Sequence, residues 1–454
     1  MSNITNIAKS GIYASQAALA TTSMNIANAS VAGYSRQDTV LATDMGGAVY
    51  VDSTRRISEQ YLVTSIWDST SAATYYDTQS SYLGQLENIF ASDGNSIASG
   101  LDMLFAALNA AMVNPDDNAT RQAVISELSN MGLRFNNIND SLQQQRDLVT
   151  SEMESTVIEI NGLISNIAEI NAMMSDYSDP SEIPSSLLDQ RDNAIADLSN
   201  LVDVSVTNNA DGTVNVALQN GQPLVVGSTA ATLGVEADPL DPSKSQLTLD
   251  FNGNDFPLST DVGGSLGALI DYHDNELNQA EAFIDELAMT FADAFNEVQV
   301  AGYDQNGNPG QPMFSYDPTD PAGTLKLVDD FSSDMLAFSG SATGGSGDNT
   351  NLQAMVDLSS QEFHFDSLGG IDSTLSDAYV SQIGTIASAT RQAELDAQAA
   401  EQAQMHAKNE WVSVSGVNLD EEAVNLIAYQ QAYQANAKVL STADQLFTTI
   451  LNAF

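Results

Sequence analysis

The sequence has 454 residues, no cysteine, and a formal net charge of −47 from 60 acidic and 13 basic residues. This length allows two to four domains with separate cores, and the absence of cysteine excludes disulfides, thiolate metal sites and cysteine nucleophiles. Nucleic acid is disfavoured as a partner because its binding needs clustered lysine and arginine.

The start of the chain does not resemble a secretory signal peptide. Lys9 is its one early cation, and its apolar residues are separated by polar ones. No stretch is long and apolar enough to span a bilayer, so we expect no membrane insertion. These features are typical of a cytosolic protein or of a protein exported without a cleaved signal.

Residues 4–28 predict a helix with a narrow stripe of mostly small residues at alternating three- and four-residue steps: Ile4, Ala8, Gly11, Ser15, Leu19, Thr22 and Ile26. A helix with so small an apolar face is marginal alone. We therefore expect this segment to be disordered in the free monomer and to fold against a partner.

Between the ends, the pattern predicts helices over 57–90, 97–113 and 186–201, with a break near Asp93-Gly94. Residues 119–174 form one long apolar repeat, which at 1.5 Å per residue indicates a rod about 80 Å long. Residues 202–260 alternate as strands do, 265–300 and 371–410 are again helical, and 303–370 are rich in Gly, Asp and Ser. The predicted fold class is mainly α with β-rich insertions.

From Asn418 onward the sequence predicts a second terminal helix, with Asn418 and Glu421 in the spacing of a capping box. One heptad seam contains Leu419, Ala423, Leu426, Tyr433, Ala437, Leu440, Phe447 and Leu451. A second stripe contains Val424, Ile427, Ala428, Ala435, Val439 and Leu446. Two stripes on one helix indicate contact with more than one neighbouring helix.

Charge is distributed very unevenly along the chain. Residues 1–60 sum to zero, and residues 411–454 sum to −3. The middle holds 52 acids against 8 bases, a net charge of −44. A polymer that buries its ends and exposes its middle needs this arrangement because packed like charges repel. Two weakly charged helices packed inside one monomer are the alternative interpretation.

Three patterns resemble chemical sites, and each has a simpler explanation. Gly263, Ser265 and Gly267 match the G-x-S-x-G pattern of a hydrolase, but a turn with Ser265 as helix N-cap explains them, and His273, His364 and His406 lie in no supporting motif. Residues 304–308 resemble the start of a calcium loop, yet Pro309 and Ser315 stand where Gly and Glu are required. The pair His273 and Glu276 indicates a solvated helix face. We expect no enzyme activity, no cofactor and no metal site.

Both ends carry motifs of a known family. Residues 10–20 (SGIYASQAALA) and 25–34 (NIANASVAGY) are similar to the opening of flagellar axial proteins, with Val31 where threonine is usual. The continuation through Ser35, Arg36 and Gln37 resembles the hook-associated protein 1 family. Residues 415–423, 429–435, 188–192 and 221–225 are also similar to segments of that family.

This resemblance implies a structural subunit that assembles through its ends. The implied assembly motif comprises Asn25, Ile26, Ala27, Asn28, Gly33, Tyr34, Ser35, Arg36 and Gln37. The implied assembly and chaperone helix presents Leu419, Ala423, Leu426, Ile427, Tyr433, Leu440, Leu446, Phe447 and Leu451. Partners would be identical subunits in a ring, hook protein, hook-associated protein 3, and a cytosolic export chaperone on the C-terminal helix. The implied location is the hook–filament junction, reached by type III export without a cleaved signal.

The resemblance also implies a division into domains. Residues 1–56 with 411–454 form a paired helical inner region, and 57–201 with 265–302 and 371–410 form a helical rod. Residues 202–264 and 303–370 form two β-rich insertions that face outward. The alternatives are another axial protein, such as hook or distal rod protein, an acidic surface adhesin on a helical stalk, and an esterase at Ser265.

Overall fold

The chain is mainly helical. The computed structural model describes residues 2–92, 94–241, 243–345 and 347–452. Its helices there are α1 (Ser2–Asn28), α2 (Gln60–Ala91), α3 (Ile97–Val113), α4 (Asn118–Ser175), α5 (Ser185–Leu201), α6 (Gly264–Asp271), α7 (Asn278–Ala301), α8 (Pro321–Thr324), α9 (Thr350–Asp357), α10 (Leu375–Ser415) and α11 (Leu419–Leu451). The helices predicted over residues 4–174 and 186–201 begin and end within three residues of these bounds. Asp93, in the predicted break, lies outside the described residues.

All the described strands pair antiparallel, in five small sheets. A hairpin joins β1 (Gln37–Thr43) to β2 (Val49–Arg56). A four-stranded sheet contains β3 (Val204–Asn208), β4 (Val214–Leu218), β5 (Pro223–Val226) and β6 (Thr229–Ala230), and a three-stranded sheet contains β7 (Thr232–Ala237), β8 (Ser245–Asp250) and β9 (Asp255–Leu258). Two short pairs follow, β10 (Phe314–Ser315) with β11 (Lys326–Leu327) and β12 (Phe363–Phe365) with β13 (Ile371–Ser373).

The long helix α4 organises the rod. Its predicted apolar stripe is buried from Leu128 to Met174, apart from the half-buried Leu163, so packing stabilises the helix more than helix propensity does. Two asparagines on α4 attach the β-rich insertion. Asn171 Nδ2 donates to the Val214 carbonyl at 2.7 Å, and Asn161 exchanges two 2.8 Å bonds with the backbone of Leu233. The predicted class, mainly α with β-rich insertions, is confirmed.

The structure departs from the sequence predictions in four places. The β1–β2 hairpin occupies a segment expected to be helical, and β13 precedes α10 where helix was predicted from residue 371. The expected division at residues 410 and 411 falls inside the continuous helix α10. A π-helical turn, Tyr272–Leu277, joins α6 to α7, and its shifted backbone hydrogen bonds leave no periodic signal in the sequence.

Candidate functional site

Asn25 fixes the loop that follows α1. Its side chain is 1% exposed, and it exchanges hydrogen bonds with the backbone of Gln37, donating to the carbonyl at 2.9 Å and accepting from the N–H at 3.0 Å. The Tyr34 hydroxyl also donates to Asn25 Oδ1 at 2.9 Å. Burial, with the negative charges of Asp189 and Glu422, raises the pKa of Tyr34 to about 12. The loop is therefore closed by buried bonds that only an amide at position 25 can make together.

Gly33 is required by both its backbone and its surroundings. Its φ is +72°, a region that residues with a Cβ rarely adopt. A Cβ built there would lie 1.8 Å from Asn193 Oδ1. The loop thus approaches α5 more closely than any side chain would allow.

An ion-pair cluster holds the end of β2 against α5. Arg56 Nη1 lies 3.1 Å from Asp189 Oδ1, and Arg56 Nη2 lies 2.6 Å from Asp192 Oδ2. Arg191 pairs with the other oxygen of Asp192 at 2.8 Å, and the Ser35 N–H approaches Asp189. Burial raises the pKa of Asp189, and Arg56 and Ser35 partly offset that effect. We call Arg56, Asp189, Arg191 and Asp192 the Arg56 cluster.

Arg36 connects the same loop to the C-terminal segment. Its backbone N–H donates to the Ser415 carbonyl at 2.8 Å, at the end of α10. Its guanidinium lies 2.7 Å from Glu421 in the first turn of α11. Asn418 caps α11 by accepting from the N–H groups of Asp420 and Glu421. The predicted N-cap is therefore present, but the capping box is incomplete. In a capping box the Glu421 carboxylate would accept from the backbone N–H of Asn418, whereas here it binds Arg36.

The remaining motif residues do not join this network. Ile26 and Ala27 are exposed on α1, and Asn28 donates to the Met24 carbonyl of its own helix. The structure thus brings together Asn25, Gly33, Tyr34, Ser35, Arg36 and Gln37. It leaves Ile26 and Ala27 on the surface.

Helices α1 and α11 lie antiparallel in close contact. Ile4 lines one groove with Ala443, and Ala18 lines another with Tyr429. A Cβ on Gly11 would meet the Asn436 side chain at 2.7 Å. The buried residues of α1 are small or polar: Ala8, Ala14, Ser15, Ala18, Thr21, Thr22 and Asn25. The contact is therefore close but buries little apolar area.

The two predicted stripes of α11 differ in exposure. In the first, Leu426, Tyr433 and Leu440 are half-buried, Leu419, Ala423 and Phe447 are exposed, and the Leu451 side chain lies outside the described residues. The second stripe, which we call the outer stripe, is exposed throughout: Val424, Ile427, Ala428, Ala435, Val439 and Leu446. Val424 is 66% and Ile427 is 54% exposed. One stripe partly faces α1. The outer stripe is exposed, with Val439 and Leu446 at the groove that Ile4 of α1 also lines.

The suspected hydrolase motif is structural. Gly263 holds the N-cap position of α6 with φ +63°, so the expectation that Ser265 caps the helix is wrong. His273 is buried and is not on a solvated face. Its Nδ1 contacts Asp274 at 2.7 Å and Ser245 at 3.3 Å, while Nε2 contacts Arg146 at 3.0 Å. A catalytic triad needs the serine and the carboxylate on opposite ring nitrogens, whereas His273 has Ser245 and Asp274 on the same nitrogen. Within the described part of the chain, Ser265 is not among its hydrogen-bond partners.

The other chemical candidates also have local partners. His364 lies beside Asp372 at 2.8 Å and His406 beside Glu410 at 3.8 Å. Asp304 accepts two backbone N–H bonds, from Asn306 and Asn308, as in an ordinary Asx turn. Over the described ranges, no group of three or more His, Cys, Asp and Glu residues is arranged to hold a metal ion. Among the same residues, no helix combines the length and apolar content needed to cross a membrane.

Sequence reasoning missed the Arg56 cluster. In the sequence, the segment 188–192 is distinguished only by its family likeness, and no local pattern marks Arg56. Their pairing joins residues 133 positions apart, and no local periodicity encodes such a contact. The one available signal was the scarcity of basic residues, which makes each buried arginine informative.

The comparisons with known proteins agree with the terminal motifs. A family model described as "Flagellar hook-associated protein FlgK helical domain" matches residues 83–314, slightly more than half of the chain. A second model, described as "Flagellar basal body rod FlgEFG protein C-terminal", matches residues 408–453, which include α11.

Individual relatives extend this similarity over the whole chain. The chain is 29% identical to flagellar hook-associated protein 1 of Salmonella typhimurium over 556 aligned positions covering all of both chains. It is 27% identical to the Bacillus subtilis protein of the same name over 495 positions, covering 98% of this chain and 97% of that one. The solved structure of the flagellar hook junction protein FlgK from Burkholderia pseudomallei shares the fold, with a TM-score of 0.68 and 18% identity, over 78% of this chain and 100% of that one. On the family match across residues 83–314, the chain belongs to the flagellar hook-associated protein FlgK family, whose members are structural proteins of the flagellum.

Proposed function

We propose that this chain joins the hook to the filament as a ring of identical subunits. The ring contacts hook protein on one side and hook-associated protein 3 on the other, and filament assembly requires it. The exposed outer stripe of α11 is the observation that carries this proposal. A solvent-exposed apolar stripe on a helix is typical of a surface that docks another helix. The near-neutral ends of the chain allow identical subunits to pack there without strong electrostatic repulsion.

The terminal helices fold when they meet neighbouring subunits. The face that α1 offers to α11 consists largely of alanine, serine and threonine, so the pair gains little from hydrophobic burial alone. A neighbour that covers the outer stripe supplies the missing apolar area. Ordering of the ends is thereby coupled to assembly.

The same logic accounts for export and for the chaperone. A chain whose ends remain unfolded until assembly can leave through a narrow type III channel, without a cleaved signal. Before export, Leu419, Ile427, Leu446 and Phe447 are exposed to the cytosol and favour aggregation. A small chaperone that covers α11 prevents this.

The arrangement of the terminal helices determines where the rest of the chain lies in the ring. Residues 1–56 and 411–454 form the inner region, and the insertions at 202–264 and 303–370 face outward and carry much of the negative charge. We propose no catalytic role, because Ser265 lies in the first turn of α6 and the three histidines have the local partners described above.

Deletion of the gene tests the junction role directly. Cells should form hooks without filaments and release flagellin into the medium as monomer, because the junction on which the filament assembles is missing. Electron microscopy of the cells and analysis of the medium measure both effects. Loss of the hook itself would identify a hook or distal rod protein. Normal filaments on motile cells would contradict the proposal and favour an adhesin.

Removal of residues 1–40 tests the assembly role of the N-terminal end. The rod core around α4 does not include this segment, so the truncated chain should remain folded, although its thermal midpoint should fall because the contacts of the Gly33 loop with α5 and α10 are lost. It should fail to co-sediment with isolated hooks because α11 has lost its partner. A truncated chain that is unfolded, or one that still binds hooks, would oppose coupled folding.

A charge on the outer stripe should block assembly without unfolding the chain. Ile427→Asp changes a half-exposed side chain of α11, so the stability of the monomer should change by less than about 0.5 kcal/mol. Binding to isolated hooks should fall at least tenfold, since the carboxylate would be buried against a neighbour. Gln430→Asp adds the same charge outside the stripe and should bind normally. Equal binding by both variants would exclude the stripe as the docking surface.

The loop after α1 must keep its left-handed glycine. Gly33→Ala should lower the free energy of unfolding by about 1–3 kcal/mol, through backbone strain and contact with Asn193. Adding Asn193→Ala to Gly33→Ala should restore the share of the unfolding free energy that is lost through the steric contact. The share lost through backbone strain should remain. Gly84→Ala is the matched control, because Gly84 lies inside α2 with open space around it, and it should raise stability by about 0.5–1 kcal/mol. Urea unfolding measures the parent chain and the three variants, and an unchanged Gly33→Ala midpoint would contradict this account.

A further inference from the structure

A cavity of about 300 Å³ lies where the N-terminal loop meets the rod. Its walls come from the loop at Gly33 and Ser35, from α2, from α5 and from α10. Both tryptophans of the chain line it, with Trp67 2% exposed and Trp411 half-buried. At about 30 Å³ per water molecule, the cavity has room for roughly ten non-hydrogen atoms. This lies at the lower end of the range for ligand sites.

The cavity offers hydrogen-bond donors that no protein group uses. Within the described part of the chain, neither indole N–H donates a hydrogen bond, and the Lys408 ammonium at the rim pairs with no carboxylate. The indole N–H of Trp67 is not sealed from solvent and is therefore available to a ligand in the cavity. Lysine is scarce in this acidic chain, and an unpaired one beside a cavity is therefore informative.

The other charged groups of the cavity are already neutralised. Arg56 and Asp192 both line it, but they bind each other and the rest of the Arg56 cluster. The polar walls of Thr70, Asn193, Asn200 and Gln404 are uncharged, and Gln404 already donates to Thr70 at 3.1 Å. The cavity consequently has one uncompensated charge, and that charge is positive.

We propose that this cavity binds a small carboxylate with a flat apolar body. The apolar part lies against Trp67, Val63 and Ile66, and the carboxylate accepts from the indole N–H groups and from Lys408. Aromatic rings, unpaired donors and a single cation are together suited to such a ligand and disfavour a cationic one. The carboxylate can belong to a free molecule or to a side chain of a second copy of this chain.

Intrinsic fluorescence of the full chain tests the site, because both tryptophans report on it. Benzoate, with nine non-hydrogen atoms, is the probe, and benzamide is its uncharged counterpart. Benzoate should change the emission with a saturable curve and benzamide should bind at least about tenfold more weakly, since it lacks the charge that pairs with Lys408. Isothermal calorimetry with benzoate gives a second readout that does not depend on tryptophan.

Three variants separate the site from general effects. Lys408→Gln should weaken benzoate binding about fivefold to tenfold, as expected for loss of one charge-assisted contact, and Lys326→Gln, on the distant strand β11, should leave it unchanged. Ala196→Leu should fill the cavity and abolish binding while circular dichroism remains that of the parent chain. If Ala196→Leu unfolds the protein, the two lysine variants still decide the question.

Protein concentration distinguishes the two sources of the carboxylate. An apparent benzoate dissociation constant that rises with protein concentration identifies a competing side chain from a second copy, and a constant value identifies a free ligand. Either result supports the cavity as a carboxylate site. The proposal is overturned if benzoate gives no saturable signal at millimolar concentration, if benzamide binds equally well, or if Lys408→Gln binds as the parent does.

Discussion

The ion pairs of Arg56 with Asp189 and Asp192 hold the N-terminal segment against the rod, and the placement of both chain ends depends on them. These charges are largely removed from water, and a buried charge is tolerated only when it has partners. The contact fixes the end of β2 on α5, beside the point where Gly33 passes Asn193. Because Arg36 in the same loop binds Ser415 and Glu421, α11 is positioned by the same contact.

The sequence predicted the long elements well, for a physical reason. The apolar repeat over 119–174 predicts most of the residues that α4 buries. In a helix of 58 residues, a few irregular positions do not obscure the periodicity of the apolar residues. The terminal helices were equally clear, since their small residues recur at helical spacing and their family motifs lie at both ends. Propensity and periodicity act over a few turns, and these elements are many turns long.

The elements that sequence reasoning missed depend on distant partners. The β1–β2 hairpin has little apolar alternation because it is half-exposed and rests on α1. The burial of His273 follows from Arg146 on α4 and Ser245 on β8, which the helical spacing of His273 and Glu276 does not reveal. Among the predicted assembly residues, Asn25 and Gly33 belong to the family motif, but the motif does not indicate what they contact. The structure shows that Asn25 bonds to the backbone of Gln37 and that Gly33 lies against α5.

The distribution of charge along the chain matches the distribution of exposed apolar surface. Acidic residues are concentrated in the middle of the chain, where the rod and the insertions meet solvent. The ends are nearly neutral, and the outer stripe leaves apolar area uncovered. Like charges therefore repel one another in the middle of the chain and much less at its ends.

The length of α4 gives the Arg56 cluster mechanical importance. A straight helix of 58 residues is about 87 Å long, so a tilt of about 5° at one end displaces the other by roughly 8 Å. The Arg56 cluster lies near the C-terminal end of α4, because its Arg191 donates to the Gly212 carbonyl, two residues before Val214, which binds Asn171. The far end of the lever arm is the start of α4, where Arg121 donates to the Ser333 carbonyl at 2.7 Å. Small adjustments among a few ion pairs near one end of α4 therefore become movements at its other end as large as a whole side chain.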